Sequence, residues 1–312
     1  MADTWTWATV TQATPLRIKV DGDTTPLDAT TDDLVGSLAV DDRVRVHLHS
    51  DGIIVTGIQG GGNRSNPNLL INSNFMVNQE GYVSGATVAD GMYGFDGWKS
   101  RSPAGTVVTF TAAPQGQQVT IVSGSWAQMV ERANIVAGTH TLSWKGTSQG
   151  LLANFGDGSD SFNSPVTVTL SGLADVLIQF GTGTLSDVKL ERGTVATPYA
   201  PPTHADNLRA CMRYYYRLTG FIGLFTAYST TRFFCGMTFP VPMRAIPTSV
   251  ASSATGITLT GSGTSATSTA IRFASATRDR LRIDVDGGSF PAGSAGWLDI
   301  AAGQWLAFDA RL

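Results

Sequence analysis

A short motif in the middle of the sequence has the spacing of a hydrolase nucleophile. Residues Gly146-Thr147-Ser148-Gln149-Gly150 match Gly-x-Ser-x-Gly, and Asp187 and His204 follow in the order Ser, Asp, His. In enzymes with this motif, the serine sits on a sharp turn between a strand and a helix of an α/β sheet. The residues after Gly150 read Leu-Leu-Ala-Asn-Phe-Gly-Asp-Gly and have no helical pattern. The sequence therefore does not favour catalysis by Ser148.

Paired carboxylates are a second possible source of chemistry, since glycoside cleavage needs two carboxyl groups roughly 5–9.5 Å apart. The chain has only three glutamates, Glu80, Glu131 and Glu191, and its aspartates fall mostly in predicted turns. The sequence places no pair in a cleft. We predict that the protein is not an enzyme, with polysaccharide cleavage as the weaker alternative.

Metal ligands are also few. Cys211 and Cys235 do not make a zinc site with any neighbouring motif and are predicted to be buried free thiols. His47 and His49 share one face of a predicted strand, but no third ligand accompanies them, so a solvated strand face is the better interpretation. We predict no metal and no cofactor.

Aromatic side chains are the better candidates for function, because the apolar faces of sugars stack on tryptophan and tyrosine. The candidate ligand-binding residues are Trp126, Trp98, Trp144 and Tyr93. Trp98 and Trp144 could instead pack inside a core, whereas Trp126 follows a Gly-Ser turn that could expose it. Near the end of the chain, Trp297 and Trp305 could belong either to a receptor-facing surface or to a core.

Composition indicates the elements that must position these residues. Only 14% of the 312 residues are charged, 35 are glycine, and the mean hydropathy is +0.04. Short alternating runs separated by glycine-rich turns predict an all-β fold with buried cores. No apolar run reaches the length of a membrane helix, and the first residues lack the pattern of a secretory signal, so neither is predicted.

Charge is distributed unevenly along the chain. Residues 1–60 hold nine acidic and four basic residues, whereas residues 204–312 hold six acidic and ten basic residues, all ten of them arginine. The basic residues are scattered and form no run that would follow a phosphate backbone. We therefore predict no nucleic-acid partner.

Four segments follow from the pattern. Residues 1–60 predict a small OB-like β-barrel, residues 61–67 a glycine-rich linker, and residues 68–203 a jelly-roll β-sandwich whose first strand spans residues 68–75. Residues 204–312 predict a short helix followed by a C-terminal β-sandwich. The helix is predicted over residues 204–217, with Thr203 and Asp206 at its start. The three tyrosines at 214–216 cannot all face one side of such a helix, so they line a subunit axis or present one ring to a ligand.

The chain also resembles a known family. The segment Asn68-Leu69-Leu70-Ile71-Asn72-Ser73-Asn74-Phe75 and the approach to Trp98 resemble the opening of the jelly-roll modules of bacteriophage tail fibres. Further segments resemble, in order, the central strand, the closing strand, the following helix and the start of the C-terminal domain of these fibres: residues 137–144, 185–199, 206–216 and 239–247. Residues 1–60 resemble, more weakly, the small barrels of tail-tip and baseplate proteins.

This resemblance implies a virion protein at the phage tail that folds and assembles in the host cytoplasm. It implies a homotrimer that contacts other tail or baseplate proteins through residues 1–60 and attaches to a host cell-surface glycan without membrane insertion. A structural hub or decoration protein that binds no receptor is an alternative, and a polysaccharide depolymerase is a weaker one. Related modules often hold a structural calcium, but this chain has Met76 at one ligand position and fits only at Asp187. Asp157 and Asp160 form a calcium-loop-like fragment without the downstream glutamate, which favours a polar turn.

Overall fold

The regular secondary structure of the described residues is almost entirely β-strand, as the sequence predicts. A computed structural model describes residues 4–31, 38, 43–58, 66–153, 161–261 and 263–311. Most of the predicted linker lies outside these residues, as do Asp157 and Asp160 of the predicted polar turn. Contacts divide the chain into two units. The first ends at Pro67 and also includes Val195–Ala200, and the second contains Asn68–Thr194 and the residues from Pro201 onward.

The first unit is a barrel-like arrangement of six strands. Alternating residues of these strands supply one apolar core: Ala8, Val10, Ile18, Val20, Val44, Val46 and Val55. The sheet order is β3-β2-β1-β5-β6-β4, with β4 and β6 parallel. The strands are β1 (Thr4–Ala13), β2 (Leu16–Val20), β3 (Leu27–Asp28), β4 (Thr30–Thr31), β5 (Arg43–His49) and β6 (Gly52–Ile58).

The second unit begins with a β-sandwich in which consecutive strands repeatedly cross between two sheets, the pattern of a jelly roll. One sheet has the order β15-β12-β17-β10-β9-β7 and the other β14-β13-β16-β11-β8. The strands are β7 (Thr87–Val88), β8 (Trp98–Ser100), β9 (Thr106–Ala113), β10 (Gly116–Ser123), β11 (Trp126–Val130), β12 (Gly138–Lys145), β13 (Gly150–Ala153), β14 (Ser161–Phe162), β15 (Val166–Leu170), β16 (Val176–Phe180) and β17 (Gly183–Arg192). A 3₁₀ turn covers Arg132–Asn134.

Residues 68–75 form turns, so the strand predicted there is wrong. Asn72 and Phe75 have φ angles of 46° and 54°, in a left-handed region that a strand does not adopt. The buried Asn72 side chain stabilises this turn, because its Oδ1 accepts from the Val77 N–H and its Nδ2 donates to the Val77 carbonyl. Asparagine tolerates this conformation better than most residues.

The single α-helix of the described residues, α1 (His204–Met212), is shorter than predicted. Its start follows the prediction: the Asp206 N–H donates to Thr203 Oγ1, and that hydroxyl donates to the Asp206 carboxylate at 2.6 Å. The helix ends before the tyrosines because Tyr215 begins a strand that pairs with the last strand of the chain. Aromatic residues favour such half-buried strand positions. No helix in the described part of the chain is long and apolar enough to cross a membrane.

The rest of the second unit is a second β-sandwich. A three-stranded sheet, β18-β27-β21, and a seven-stranded sheet, β23-β22-β26-β19-β20-β25-β24, enclose a core that includes Phe225, Phe233 and Phe308. The strands are β18 (Tyr215–Leu218), β19 (Phe221–Ala227), β20 (Arg232–Thr238), β21 (Thr248–Ala251), β22 (Ile257–Gly261), β23 (Thr264–Thr267), β24 (Ala270–Ala274), β25 (Arg280–Asp286), β26 (Ala295–Ile300) and β27 (Leu306–Asp309).

Buried amide groups connect the helix to the first sandwich. The Asn72 N–H donates to Asn207 Oδ1 at 2.9 Å, and Asn207 Nδ2 donates to Asn74 Oδ1 at 2.9 Å. Gln79 Nε2 donates both to Asp96 Oδ1 and to the Tyr215 carbonyl, at 2.6 and 2.9 Å. Hydrogen bonds between buried polar groups fix geometry because an unpaired partner would be costly. The two sandwiches therefore have a defined relative position within this unit.

Candidate functional site

Three of the four predicted sugar-binding residues are core residues. Trp98 and Trp126 are 0% exposed and Trp144 is 6% exposed, so their ring faces are covered by protein. The indole N–H groups of Trp98 and Trp144 donate to the carbonyls of Asn72 and Ser148. This burial corrects the prediction of ligand contact at Trp126, Trp98 and Trp144, because a sugar stacks only on an accessible ring face.

The fourth candidate, Tyr93, is half-buried and holds the end of the chain. The Arg311 guanidinium carbon lies 4.0 Å from the centroid of the Tyr93 ring, and Lys99 Nζ lies 5.6 Å from it. Tyr93, Glu131, Tyr214 and Arg311 line a cavity of about 20 Å³. Such a volume has room for about one water molecule. The cavity is too small for a sugar.

The nucleophile motif lies in a turn between two strands, and it leads directly into β13 rather than into a helix. Ser148 is buried, and its hydroxyl donates to the Gly181 carbonyl at 2.7 Å. Asp187 forms an ion pair with Lys145 at 2.8 Å, and His204 is the first residue of α1. The serine hydroxyl thus satisfies a backbone carbonyl inside the sandwich.

Each glutamate has a basic partner. Glu80 pairs with Arg311, Glu131 with Arg213 at 3.0 Å, and Glu191 with the buried Lys189 at 3.1 Å. The described residues contain no group of three histidine, cysteine or acidic side chains placed to hold a metal ion. Cys211 and Cys235 are buried free thiols, as predicted, and burial raises the pKa of both.

An accessible aromatic surface of the second unit lies on the solvent-facing side of its seven-stranded sheet. Strand alternation places Leu298 and Phe233 in the core and their neighbours Trp297 and Phe234 outside. Trp297 is 45% exposed and lies directly opposite Leu224, which is 73% exposed. We call this side, which carries Trp297, Leu224 and Phe234, the outer face. It carries an exposed indole ring.

A groove runs beside these residues on strands β20 and β25. Its volume is about 640 Å³, within the range of roughly 300–1,000 Å³ that is usual for small-molecule sites. Gly236 lies where a larger side chain would project outward, and no atom lies within 4 Å of the position of a Cβ there. We call this feature the Gly236 groove. Its lining residues are Phe234, Gly236, Met237, Thr238, Ser275, Ala276, Thr277, Arg280, Leu281 and Arg282.

Two arginines give the Gly236 groove its charge. Arg282 makes two hydrogen bonds to the Asp284 carboxylate, at 2.7 and 2.8 Å, and its guanidinium lies 5.7 Å from the centroid of the Phe234 ring. Arg280 is exposed, and its guanidinium has no hydrogen bond or ion pair with another described residue. The groove therefore combines an aromatic ring, hydroxyl groups and one available guanidinium, a combination that suits a polar ligand with an apolar face.

Most residues of this site were not identified from the sequence, which left Trp297 open and did not single out Phe234, Gly236 or Arg280. One signal was present. The alternation in Arg232–Thr238 puts Gly236 at an outward position of a predicted strand, where the missing side chain leaves a depression.

The first unit carries a separate surface with both of its tryptophans. Trp5 and Trp7, 49% and 40% exposed, lie opposite His47 and Arg45 on neighbouring strands. The Trp5 and His47 rings are stacked, with centroids 4.1 Å apart. All four basic residues of residues 1–60 share this side of the sheet, which we call the N-terminal face: Arg17, Lys19, Arg43 and Arg45.

Comparison with known proteins does not identify the chain: no protein-family model matches it, and no curated protein is similar to it in sequence.

Proposed function

We propose that the protein is a non-catalytic recognition protein that binds a cell-surface glycan through the outer face of its C-terminal sheet. The observation that carries the proposal is the open Trp297 ring on the same sheet face as the Gly236 groove. Exposed tryptophan beside a groove with hydroxyl and guanidinium groups is typical of surfaces that hold sugars. Sheet positions suit such a site because their geometry is fixed by neighbouring strands.

The biological setting of the proposal is a bacteriophage tail. The resemblance of residues 66–250 to tail-fibre modules supports a virion protein that acts as a homotrimer and assembles in the host cytoplasm. Docking onto other tail or baseplate proteins is assigned to residues 1–60. The N-terminal face supports this role, because exposed tryptophan and arginine are enriched where protein interfaces are strongest. Three copies would raise the avidity of individually weak glycan sites.

The test is binding of the full-length protein to an array of bacterial surface oligosaccharides. We expect Trp297→Ala and Gly236→Val to weaken binding at least about tenfold, because one removes the stacking ring and the other fills the groove. Leu173→Ala changes an exposed leucine of the first sandwich and serves as the control. Loss of binding in the two variants but not in the control supports the proposal. Binding that all three variants retain overturns it.

Two alternatives predict different results in the same experiments. A structural hub binds no glycan on the array. A depolymerase releases reducing ends from the polysaccharide, and this release is measured with the wild-type protein.

The oligomeric state is measured separately by light scattering. A trimer has about three times the 32.9 kDa mass of one chain. If Trp297→Ala dissociates that trimer, the outer face is a subunit interface and the glycan site is not there.

A further inference from the structure

Few of the arginines in the C-terminal part of the chain are available to bind a ligand. Eight of the ten arginines in residues 204–312 bind acidic or carbonyl groups of the protein. Five of them bind carboxylates: Arg213, Arg232, Arg272, Arg282 and Arg311. Three donate to backbone carbonyls: Arg217, Arg244 and Arg278. Only Arg209 and Arg280 have no such partner among the described residues, and Arg280 lines the Gly236 groove.

The position of Arg280 favours a ligand with negative charge. Of the residues that line the groove, all of them described, two are arginines and none is acidic. The Asp284 carboxylate neutralises one of these, Arg282, so the charge that remains at the groove belongs to Arg280. A guanidinium presents parallel N–H donors that match the two oxygens of a carboxylate, and such charge-assisted pairs are stronger than neutral hydrogen bonds.

The neighbouring groups suit the rest of a sugar ring. Phe234 supplies an aromatic face, and Thr238 and Ser275 supply hydroxyl groups at the groove wall. A lone arginine on a flat surface would be solvated and would contribute little. Here Arg280 lines the groove together with Phe234 and Thr238, so its pairing with an anion would be one of several contacts to the same ligand.

We infer that the Gly236 groove binds an acidic saccharide unit, with Arg280 holding its carboxylate and Phe234 contacting its apolar face. This inference rests on the proposed glycan-binding function and specifies its ligand class. Nucleic acids are not the ligand proposed, because one available cation contacts too few phosphates.

The experiment uses the full-length protein and compares acidic polymers with forms of the same polymers whose charge has been removed. The probes are polygalacturonate, hyaluronan and polysialic acid, each in its native form and with its carboxylates methyl-esterified. We expect at least one native polymer to bind about tenfold more tightly than its ester, with affinity falling as salt rises. Arg280→Gln abolishes this difference and leaves binding of the ester unchanged. Arg209→Gln, which removes the other available arginine, changes neither.

The remaining outcomes overturn the inference and separate it from the proposed function. Equal binding of each polymer and its ester, or a charge preference that survives Arg280→Gln, excludes a carboxylate site at Arg280. Binding only to neutral oligosaccharides of the array overturns the acidic ligand but leaves glycan recognition intact. The absence of binding to every polymer and oligosaccharide overturns both. Dextran sulfate and a 20-residue oligothymidylate are included, and tighter binding to either one overturns the choice of a carboxylated sugar.

Discussion

The guanidinium group of Arg311 lies against the ring of Tyr93, with its central carbon 4.0 Å from the ring centroid. The same carbon lies 4.3 Å from the centroid of the Tyr215 ring, and the guanidinium forms ion pairs with Glu80 and Asp309. Tyr93 and Glu80 belong to the first sandwich, whereas Tyr215 and Asp309 belong to the C-terminal one. One nearly buried side chain thus joins the last strand to both, and Tyr93 has a structural role where the sequence suggested a ligand contact.

Replacing Arg311 tests this role. We expect Arg311→Ala to lower the free energy of unfolding by about 2–4 kcal/mol, because it removes the basic partner of two partly buried carboxylates and the contacts of the guanidinium with two rings. Arg311→Lys does not restore stability, since an ammonium lacks the planar fork and stacks less well. Urea unfolding followed by fluorescence measures both. Arg101→Ala, an exposed arginine, is the control and stays within about 0.5 kcal/mol of wild type.

Buried and exposed tryptophans are expected to contribute differently to the stability of the protein. Trp126→Ala removes a large side chain from the core of the first sandwich and should cost about 3–5 kcal/mol. Trp297→Ala removes an exposed ring and should cost less than about 1 kcal/mol. Urea unfolding compares the two variants. A large loss of stability in Trp297→Ala would mean that this ring supports the fold.

A conservative change at Trp126 refines that prediction. The indole N–H of Trp126 is buried and has no hydrogen-bond partner among the described residues. Phenylalanine keeps most of the ring and removes an unpaired donor, which offsets part of the lost packing. We therefore expect Trp126→Phe to be clearly more stable than Trp126→Ala. Equal stabilities would contradict this prediction, because they would mean that the phenylalanine ring recovers none of the lost packing.

The strand pattern predicted the architecture well and the site poorly. Period-two alternation located strands such as Arg43–His49, because one face is buried and the other is solvated. It did not predict that Trp126 is buried, because strand β11 is buried on both of its sides and alternation carries no information there. The helix end at Met212 was missed because Tyr215 pairs with a strand more than 90 residues away. The Gly236 groove depends on neighbours from β25, which a local pattern cannot supply.

The docking role proposed for residues 1–60 gives a prediction about charge. Arg17 and Arg43 of the N-terminal face pair with Asp28 and Asp21, whereas Lys19 and Arg45 have no carboxylate partner among the described residues. We expect the double variant Lys19→Glu and Arg45→Glu to prevent incorporation into virions, because it reverses the available charge beside Trp5 and Trp7. Immunoblots of purified particles measure incorporation.

The control for docking is Arg209→Gln, which lies outside residues 1–60 and should be incorporated normally. We expect the double variant to fold, because both changed side chains are exposed, and circular dichroism verifies this. Normal incorporation of a folded double variant would show that docking uses another surface.

The last prediction concerns pH and the buried Asp96. Burial raises the pKa of Asp96 above the usual 3.8, although hydrogen bonds from Gln79 act in the opposite direction. A carboxyl group with a raised pKa binds its proton more tightly in the folded than in the unfolded protein. Its contribution to stability is therefore lost as the pH rises from about 4 through the folded-state pKa. Asp21 and Asp286 have lowered pKa values and make the opposite contribution, lost in acid.

Asp96→Asn isolates this effect, because asparagine keeps an acceptor for the Gln79 N–H and does not titrate. The variant loses one hydrogen bond at every pH, so the informative quantity is the change in the stability difference with pH. We expect the free energy of unfolding of the variant, relative to that of the wild type, to increase as the pH rises above about 4. This difference should become constant above the pKa of Asp96 in the folded protein. Urea unfolding at several pH values measures it. A constant difference would show that the hydrogen bonds offset burial at Asp96, and a difference that moves in favour of the wild type would show that they outweigh it.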